Sequence, residues 1–245
     1  MTENEYALPT KTLSLISHKL RTPLSIINGY SEAVLSQAEK EKFSPFTSKA
    51  LGEIHKQGGR MSVLIDKLSD FIKVISAKPE ELHVTPIALK TLIKDCAAKA
   101  IAQNEEALPS QGEGGVKRGT FIEIDCSSQL TLKANEEMVR LCICELLSNA
   151  IKFNTKMEKT IKVQGANHGD CISISVRDYG IGIRPQDVSK IFEPFYQVDD
   201  YFTGQVSGWG LGLPMVRRAL DLHHGSISVV SDRGLGSIFT LSFPL

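Results

Sequence analysis

The chain has 245 residues, 28 basic against 28 acidic side chains and a formal net charge of zero, so no global field draws in nucleic acid or an anionic membrane. No apolar run approaches the roughly 20 residues that cross a bilayer, and the N-terminal MTENEYALPT has no apolar signal core. Five cysteines, an odd number without a secretory signal, point to free thiols in the reducing cytoplasm and not to a disulfide framework.

Residues 10–37 carry Leu13, Leu20, Ile27 and Val34 at seven-residue spacing, with Ile16 and Leu24 near the same line, which is the spacing of a bundle seam. At about 100° per residue, His18 projects almost directly away from that seam, toward water or toward something arriving from water. A second helical run over 47–77 repeats the pattern in Ile54, Met61, Leu68 and Ile75, and again in Leu51, Ile65 and Ile72, where Gly58 interrupts the row. The short polar QAEKEKFSPF between them folds the pair into an antiparallel hairpin. A lone hairpin leaves its seam bare; two copies close a four-helix bundle, so a homodimer is expected.

KPEELHVTPI, residues 78–87, breaks the helical period with two prolines and divides the chain into a helical domain, 1–80, and a mixed domain, 81–245. In the latter a helix is predicted near 86–103, then the glycine-rich polar stretch QNEEALPSQGEGGVKRGT. TFIEIDC, TIKVQG, CISISVRD, SISVVSD and SIFTLSFP alternate as strands do. Helices near 135–152 and 212–222 complete a layered sheet-and-helix domain.

Four stretches of this second half carry candidate chemistry. ELLSNAIKFN, residues 145–154, puts Glu145, Asn149 and Lys152 along one side of a helix. The Asn149 amide oxygen suits Mg²⁺, a hard cation that takes oxygen ligands; an ordinary amphipathic helix satisfies the same pattern. CISISVRD leads into YGIGI, placing Asp178 at a strand end and Gly180 and Gly182 in a turn. A carboxylate there accepts a hydrogen bond from an exocyclic amine while side-chain-free backbone approaches the ligand, although DxGxG alone is a common turn. IFEPFYQ offers Phe192 and Phe195 as an aromatic hook beside a proline, or as plain core packing. SGWGLGLPMVRRAL sets Gly208, Gly210 and Gly212 ahead of a helix whose free N–H groups suit phosphate, without the strand-turn-helix context of a dinucleotide fingerprint. Cys142 and Cys144, two apart on a helix, point to different faces, and no His/Cys cluster has zinc spacing.

The order SHKLRTPL, ELLSNAIKFN, DYGIGI, FEPF, GWGLGL resembles the H, N, G1, F and G2 boxes of sensor histidine kinases, from about residue 10 to the end. The resemblance implies a two-domain α plus α/β fold, in which a dimerising phosphoacceptor hairpin precedes a Bergerat-type (GHKL) α/β sandwich that binds ATP and Mg²⁺. His18 is then the phosphoacceptor, Asp178 the partner of the adenine amine, Asn149 the metal ligand and Lys152 a phosphate ligand. Gly180, Gly182, Gly208, Gly210, Leu211 and Gly212 line the nucleotide, with residues 197–212 as a lid. Glu145 stands where the family often has Asn and serves as a general base, or as the water-activating glutamate of related ATPases. Thr22, on the His18 face, matches a position used for phosphatase action on the partner. That partner is a response-regulator receiver domain, downstream of a sensor segment absent from this chain.

One residue departs from the pattern. The position after the acceptor histidine, usually acidic in the family, is Lys19, which has no acceptor lone pair. The alternative to an active kinase is therefore a weakly active ATP-binding signalling scaffold or regulator phosphatase.

Overall fold

A computed structural model describes residues 10–37, 43–106, 119–198 and 209–245, with the side chains of 10–16, 19, 37 and 104–106 outside that description. The chain divides into two compact units, residues 1–76 and 77–245. Among the described residues no helix is long and apolar enough to cross a membrane.

The first unit is a hairpin of α1 (Thr10–Gln37) and α2 (Pro45–Ser76). Ser44 caps the second helix by accepting the Thr47 amide at 3.1 Å, and Pro45 follows at the first helical position, where a missing N–H costs nothing. The contact line within the hairpin differs from the apolar row read from the sequence. Ser17, Leu24 and Ser31, themselves seven apart, are buried against α2, where Gly58 and Ile65 are buried in turn. Leu20 and Ile27 stay 41% and 47% exposed, and Ile54 and Met61 are exposed as well. The two rows on α1 lie about 60° apart around the helix, so the chain packs on one and leaves the more apolar one bare. Asn28 fills the space opposite Gly58, since a Cβ there would run into its amide oxygen, and it donates to Ser62 Oγ at 3.1 Å. The row therefore breaks at Gly58 for steric reasons.

The second unit is built on a five-stranded sheet ordered β2-β4-β5-β7-β6, formed by β2 (Gly119–Cys126), β4 (Glu158–Asn167), β5 (Cys171–Asp178), β6 (Ser226–Asp232) and β7 (Gly236–Pro244). β2 and β4 are parallel and the remaining neighbours antiparallel. Alternation puts Ile161, Val163, Ile172, Ile174, Val176, Phe239, Leu241 and Phe243 into the core, against the helices α3 (Leu89–Glu106), α4 (Glu136–Lys152) and α5 (Gly212–Leu222). The other face carries Lys162, Gln164 and Arg177, as expected of a largely antiparallel sheet covered on one side.

The helix expected from 86 begins at Leu89 because Thr85–Ala88 is a short strand, β1, paired antiparallel with β3 (Thr131–Ala134). Four residues are too few to show a period. Asn135 caps α4 through the Met138 amide at 3.0 Å, and its own N–H donates to His223 Nε2 at 3.0 Å. The His223 imidazole, bonded to the Ala219 carbonyl through Nδ1, thus joins the start of α4 to the end of α5, and the following His224 and Gly225 form a turn.

Candidate active site

α4 supplies the first wall of the site. Glu145, Asn149 and Lys152 are four and three residues apart and share one side of it; all three are partly buried. The helix closes where the Phe153 amide donates to the Asn149 carbonyl at 2.9 Å, and the Lys152 ammonium lies 4.6 Å from the Phe153 ring centroid.

Asp178 ends β5, only 7% exposed. Its Oδ1 accepts the Gly180 amide at 2.8 Å, and the Ser237 amide also donates to the carboxylate. Burial raises its pKa, against which these two N–H donors act. Such a group is a desolvated acceptor held in one orientation. The turn after it is clamped from two sides. The Ile181 amide donates to the Phe153 carbonyl at 3.1 Å and the Gly234 amide to the Ile181 carbonyl at 2.7 Å. A Cβ on Gly180 would strike Phe153 O, and one on Gly182, at φ +67°, would strike Asp232 O. Neither glycine of this turn has room for a side chain, because neighbouring backbone already fills the space.

The third wall is the start of α5. The Glu145 carboxylate reaches the point where a Gly212 Cβ would stand, close to the free N–H groups and positive end of that helix. Leu211 is a core residue, 1% exposed, so its side chain packs into the domain and does not face a ligand. Gly210, at φ +64°, accepts the Phe195 amide at 2.9 Å, a bond that ties the two ends of the 196–209 segment. Gly208 and most of the expected lid lie outside the described residues.

Of the aromatic pair in the proposed hook, Phe192 is half-buried, with the Arg217 guanidinium of α5 5.7 Å from its ring centroid. Phe195 is 50% exposed at φ +65°, whereas Ile191 is the residue that buries. Asp187 also holds the segment: it accepts Arg184 Nε at 2.6 Å and the Tyr196 hydroxyl at 2.8 Å. The Arg184 guanidinium and then the Tyr196 hydroxyl lower its pKa.

In the hairpin unit His18 and Thr22, one turn apart on α1, are exposed, and the neighbouring Ser17 is buried. Pro23 lies inside the helix, which continues to Gln37. Arg21 reaches across to Asp66 at 2.9 Å.

Residues 10–76 match the His Kinase A (phospho-acceptor) domain, and residues 134–245 match the histidine kinase-, DNA gyrase B- and HSP90-like ATPase family. The chain belongs to the sensor histidine kinases. It is 32% identical over 228 residues to the phosphate regulon sensor protein PhoR of Pseudomonas aeruginosa, covering 93% of this chain and 48% of that protein. The sensor histidine kinase YkoH of Bacillus subtilis is 31% identical over 227 residues, covering 93% and 46%. A crystal structure of full-length ShkA in complex with AMPPNP superposes with a TM-score of 0.72 at 25% identity, over 96% of this chain and 45% of that one. The chain spans 27% to 48% of the length of such curated relatives.

Within this histidine kinase fold the sequence reading missed Phe153 O, Ser237 N and Ser231. The Ser231 hydroxyl accepts the Ile183 amide at 2.8 Å and donates to Gly236 O at 3.0 Å. The RGLGS stretch brings Gly236 and Ser237 against Asp178; its glycines were the available signal. A buried carboxylate with two fixed donors, a tight glycine turn beside it and an oxygen-bearing helix face fit a purine nucleotide and a hard cation.

Proposed function

We propose that this chain is the catalytic core of an ATP-dependent protein histidine kinase that phosphorylates its own His18 and passes the phosphoryl group to an aspartate of a response-regulator receiver domain. The observation that carries this reading is the coexistence, in one chain, of an outward imidazole on a phosphoacceptor hairpin and a buried aspartate over a glycine cradle.

Asp178 accepts from the adenine amine, and the Gly180–Gly182 turn lets backbone lie against the base. The amides opening α5 at Gly210, Leu211 and Gly212, with the Lys152 ammonium, hold phosphate oxygens. The Asn149 amide oxygen would hold Mg²⁺, which would supply neutralisation of charge on the phosphates. A neutral His18 nitrogen attacks the γ-phosphorus in line while ADP leaves, giving a phosphohistidine. Glu145 is the general base, and Thr22 orients water when the regulator is dephosphorylated. The exposed Leu20, Ile27, Ile54 and Met61 meet their counterparts in a second copy, which makes the acting species a homodimer. A sensor segment acts upstream, and the need for ATP puts the reaction in the cytoplasm.

The test is incubation with Mg²⁺ and γ-labelled ATP. Acid-labile, alkali-stable label should appear on the wild type and vanish in His18→Gln; label that persists in that variant overturns the assignment.

A further inference from the structure

Cys96 on α3 and Cys144 on α4 face each other across the packed helix pair and share a side-chain hydrogen bond. The Cys96 sulfur also lies 3.9 Å from the carbonyl oxygen of Arg140, one turn before Cys144. Cys96 is buried, whereas Cys144 is partly open to solvent. Cys142 and Cys144 do face different sides of α4, as their two-residue spacing implies: the Cys142 thiol sits 3.9 Å from Val216 O. Among the described residues no cluster of three metal-ligating side chains surrounds the two thiols.

We propose that Cys144 and Cys96 form an oxidisable thiol pair, a modification site at which a hydroperoxide converts the two thiols into a disulfide that staples α3 to α4. The two thiols belong to adjoining helices, and the Cys96 sulfur already lies against the turn of α4 that leads to Cys144, so the disulfide would link side chains that are neighbours in the fold. Only Cys144 is reachable, which fixes the order of events.

The Cys144 thiolate attacks one peroxide oxygen; the O–O bond breaks, leaving a sulfenic acid and a hydroxide that leaves as water. The Cys96 sulfur then attacks the sulfenic sulfur, the S–S bond forms, the S–O bond breaks and a second water departs with the Cys96 proton. Two thiols lose two electrons, and one molecule of hydrogen peroxide is reduced to two of water.

The surroundings favour this order. The hydrogen bond from Cys96 is the main cause that lowers the Cys144 pKa, helped by Lys99 and Arg140 against the opposing Glu145 and burial, while Cys96 is raised and keeps its proton. Cys142 and Cys126 are raised by burial and Cys171 is raised too, so Cys144 is the nucleophilic thiol among the five. The staple would fix α4 at the residue before Glu145.

The whole chain is treated with hydrogen peroxide, alkylated under native conditions, digested and read by mass spectrometry. A peptide pair joined through Cys96 and Cys144, released by dithiothreitol, is expected. It should be lost in Cys144→Ser and persist in Cys171→Ser. In Cys96→Ser, whose fold is checked by circular dichroism, a dimedone adduct should appear on Cys144 instead. Without peroxide, iodoacetamide at pH 7 should label Cys144 before Cys171. The proposal is overturned if peroxide leaves both thiols free, if Cys144 pairs with another cysteine, or if Cys171 is labelled first.

Discussion

Asp178→Asn separates what the fold wants at this position from what nucleotide binding wants. In the wild type one carboxylate oxygen takes the Gly180 amide at 2.8 Å, the Ser237 amide donates to the group as well, and the ionised carboxylate keeps acceptor capacity for the adenine amine. An asparagine can meet only one of these demands, because a single amide oxygen accepts while the NH₂ donates. With its oxygen on Gly180 N–H, the NH₂ faces the purine and opposes another amine. A hydrogen bond to a charged acceptor is worth about 1.5–3 kcal/mol, so ATP affinity should fall by roughly 10- to 150-fold at about tenfold per 1.4 kcal/mol. The same NH₂ complements a carbonyl at that ring position, so the preference for ATP over GTP should narrow.

Stability should move the other way. Burial raises the folded-state pKa of Asp178, so the stability this group confers is full below the unfolded carboxylate range and lost as pH rises through the raised value. Above that raised value it is a buried charge that the fold holds at a cost. Asp178→Asn should therefore gain on the wild type as pH climbs from 4 to 8. Calorimetric titration with ATP and GTP, beside thermal unfolding over that range, reads both effects. A variant that binds ATP within about threefold of the wild type, or that loses ground with rising pH, refutes the reasoning.

Replacing Lys19 by Glu restores an acceptor lone pair beside the phosphoacceptor; with general-base assistance worth about 10²–10⁴-fold where it operates, initial autophosphorylation should rise by at least about tenfold, and an equal or slower rate removes the idea. Asp187→Asn removes a carboxylate whose pKa Arg184 and Tyr196 depress; the stability it gives is present above the unfolded carboxylate range and lost as pH falls through the depressed value, so the variant's melting temperature should decline less on acidification than the wild type's. In the hairpin, Gly58→Ala alone should gain little, since the added methyl displaces the Asn28 amide. Asn28→Ala/Gly58→Ala removes the clash and a buried Asn28 oxygen without a protein partner among the described residues. Helix propensity adds about 1 kcal/mol, so urea denaturation should show the double variant more stable than wild type by about 1 kcal/mol; a less stable double variant contradicts the packing account.

The elements with long periods were legible: both helices of the hairpin, α4, α5 and the five alternating strands all declare themselves in the spacing of their apolar residues. β1 and β3 did not, because four residues carry no period and Pro86 argues against a strand. The choice between two rows on α1 was hidden for a different reason. Ser17 and Ser31 read as surface, and nothing local says that a serine line meets Gly58 while Leu20 and Ile27 stay bare. In the candidate site, Asp178 and its glycines stand together in sequence and were visible; Ser237 and Phe153 reach them from other parts of the chain as backbone groups, which have no sequence signature. Gly212 was read for phosphate, but the Glu145 carboxylate beside it is as strong a reason for having no side chain there. The thiol facing Cys144 was out of reach too, since Cys142 was the sequence neighbour and Cys96 the spatial one.

The two units are stabilised by different means, and the difference suits the proposed reaction. The nucleotide domain rests on fully buried Leu89, Ile93, Leu132, Ile143, Leu147, Ile161 and Ile174, at about 1.5–3 kcal/mol for each such side chain, and its Asp178 turn is clamped by backbone bonds on both sides. The hairpin has Ser17, Asn28 and Ser31 along its inner line, where Ser17 Oγ and Asn28 Oδ1 lack protein partners among the described residues. A made hydrogen bond nets only about 0.5–1.5 kcal/mol and an orphaned polar group costs about 1–3, so this line holds its register weakly. The apolar side chains that would hold it firmly lie on the outer row, which in the proposed dimer belongs to the partner's surface as much as to its own. The orientation of α1, and with it the direction in which His18 points, is then set by how two hairpins meet. A change in that meeting can redirect the imidazole while the core behind Asp178 stays intact.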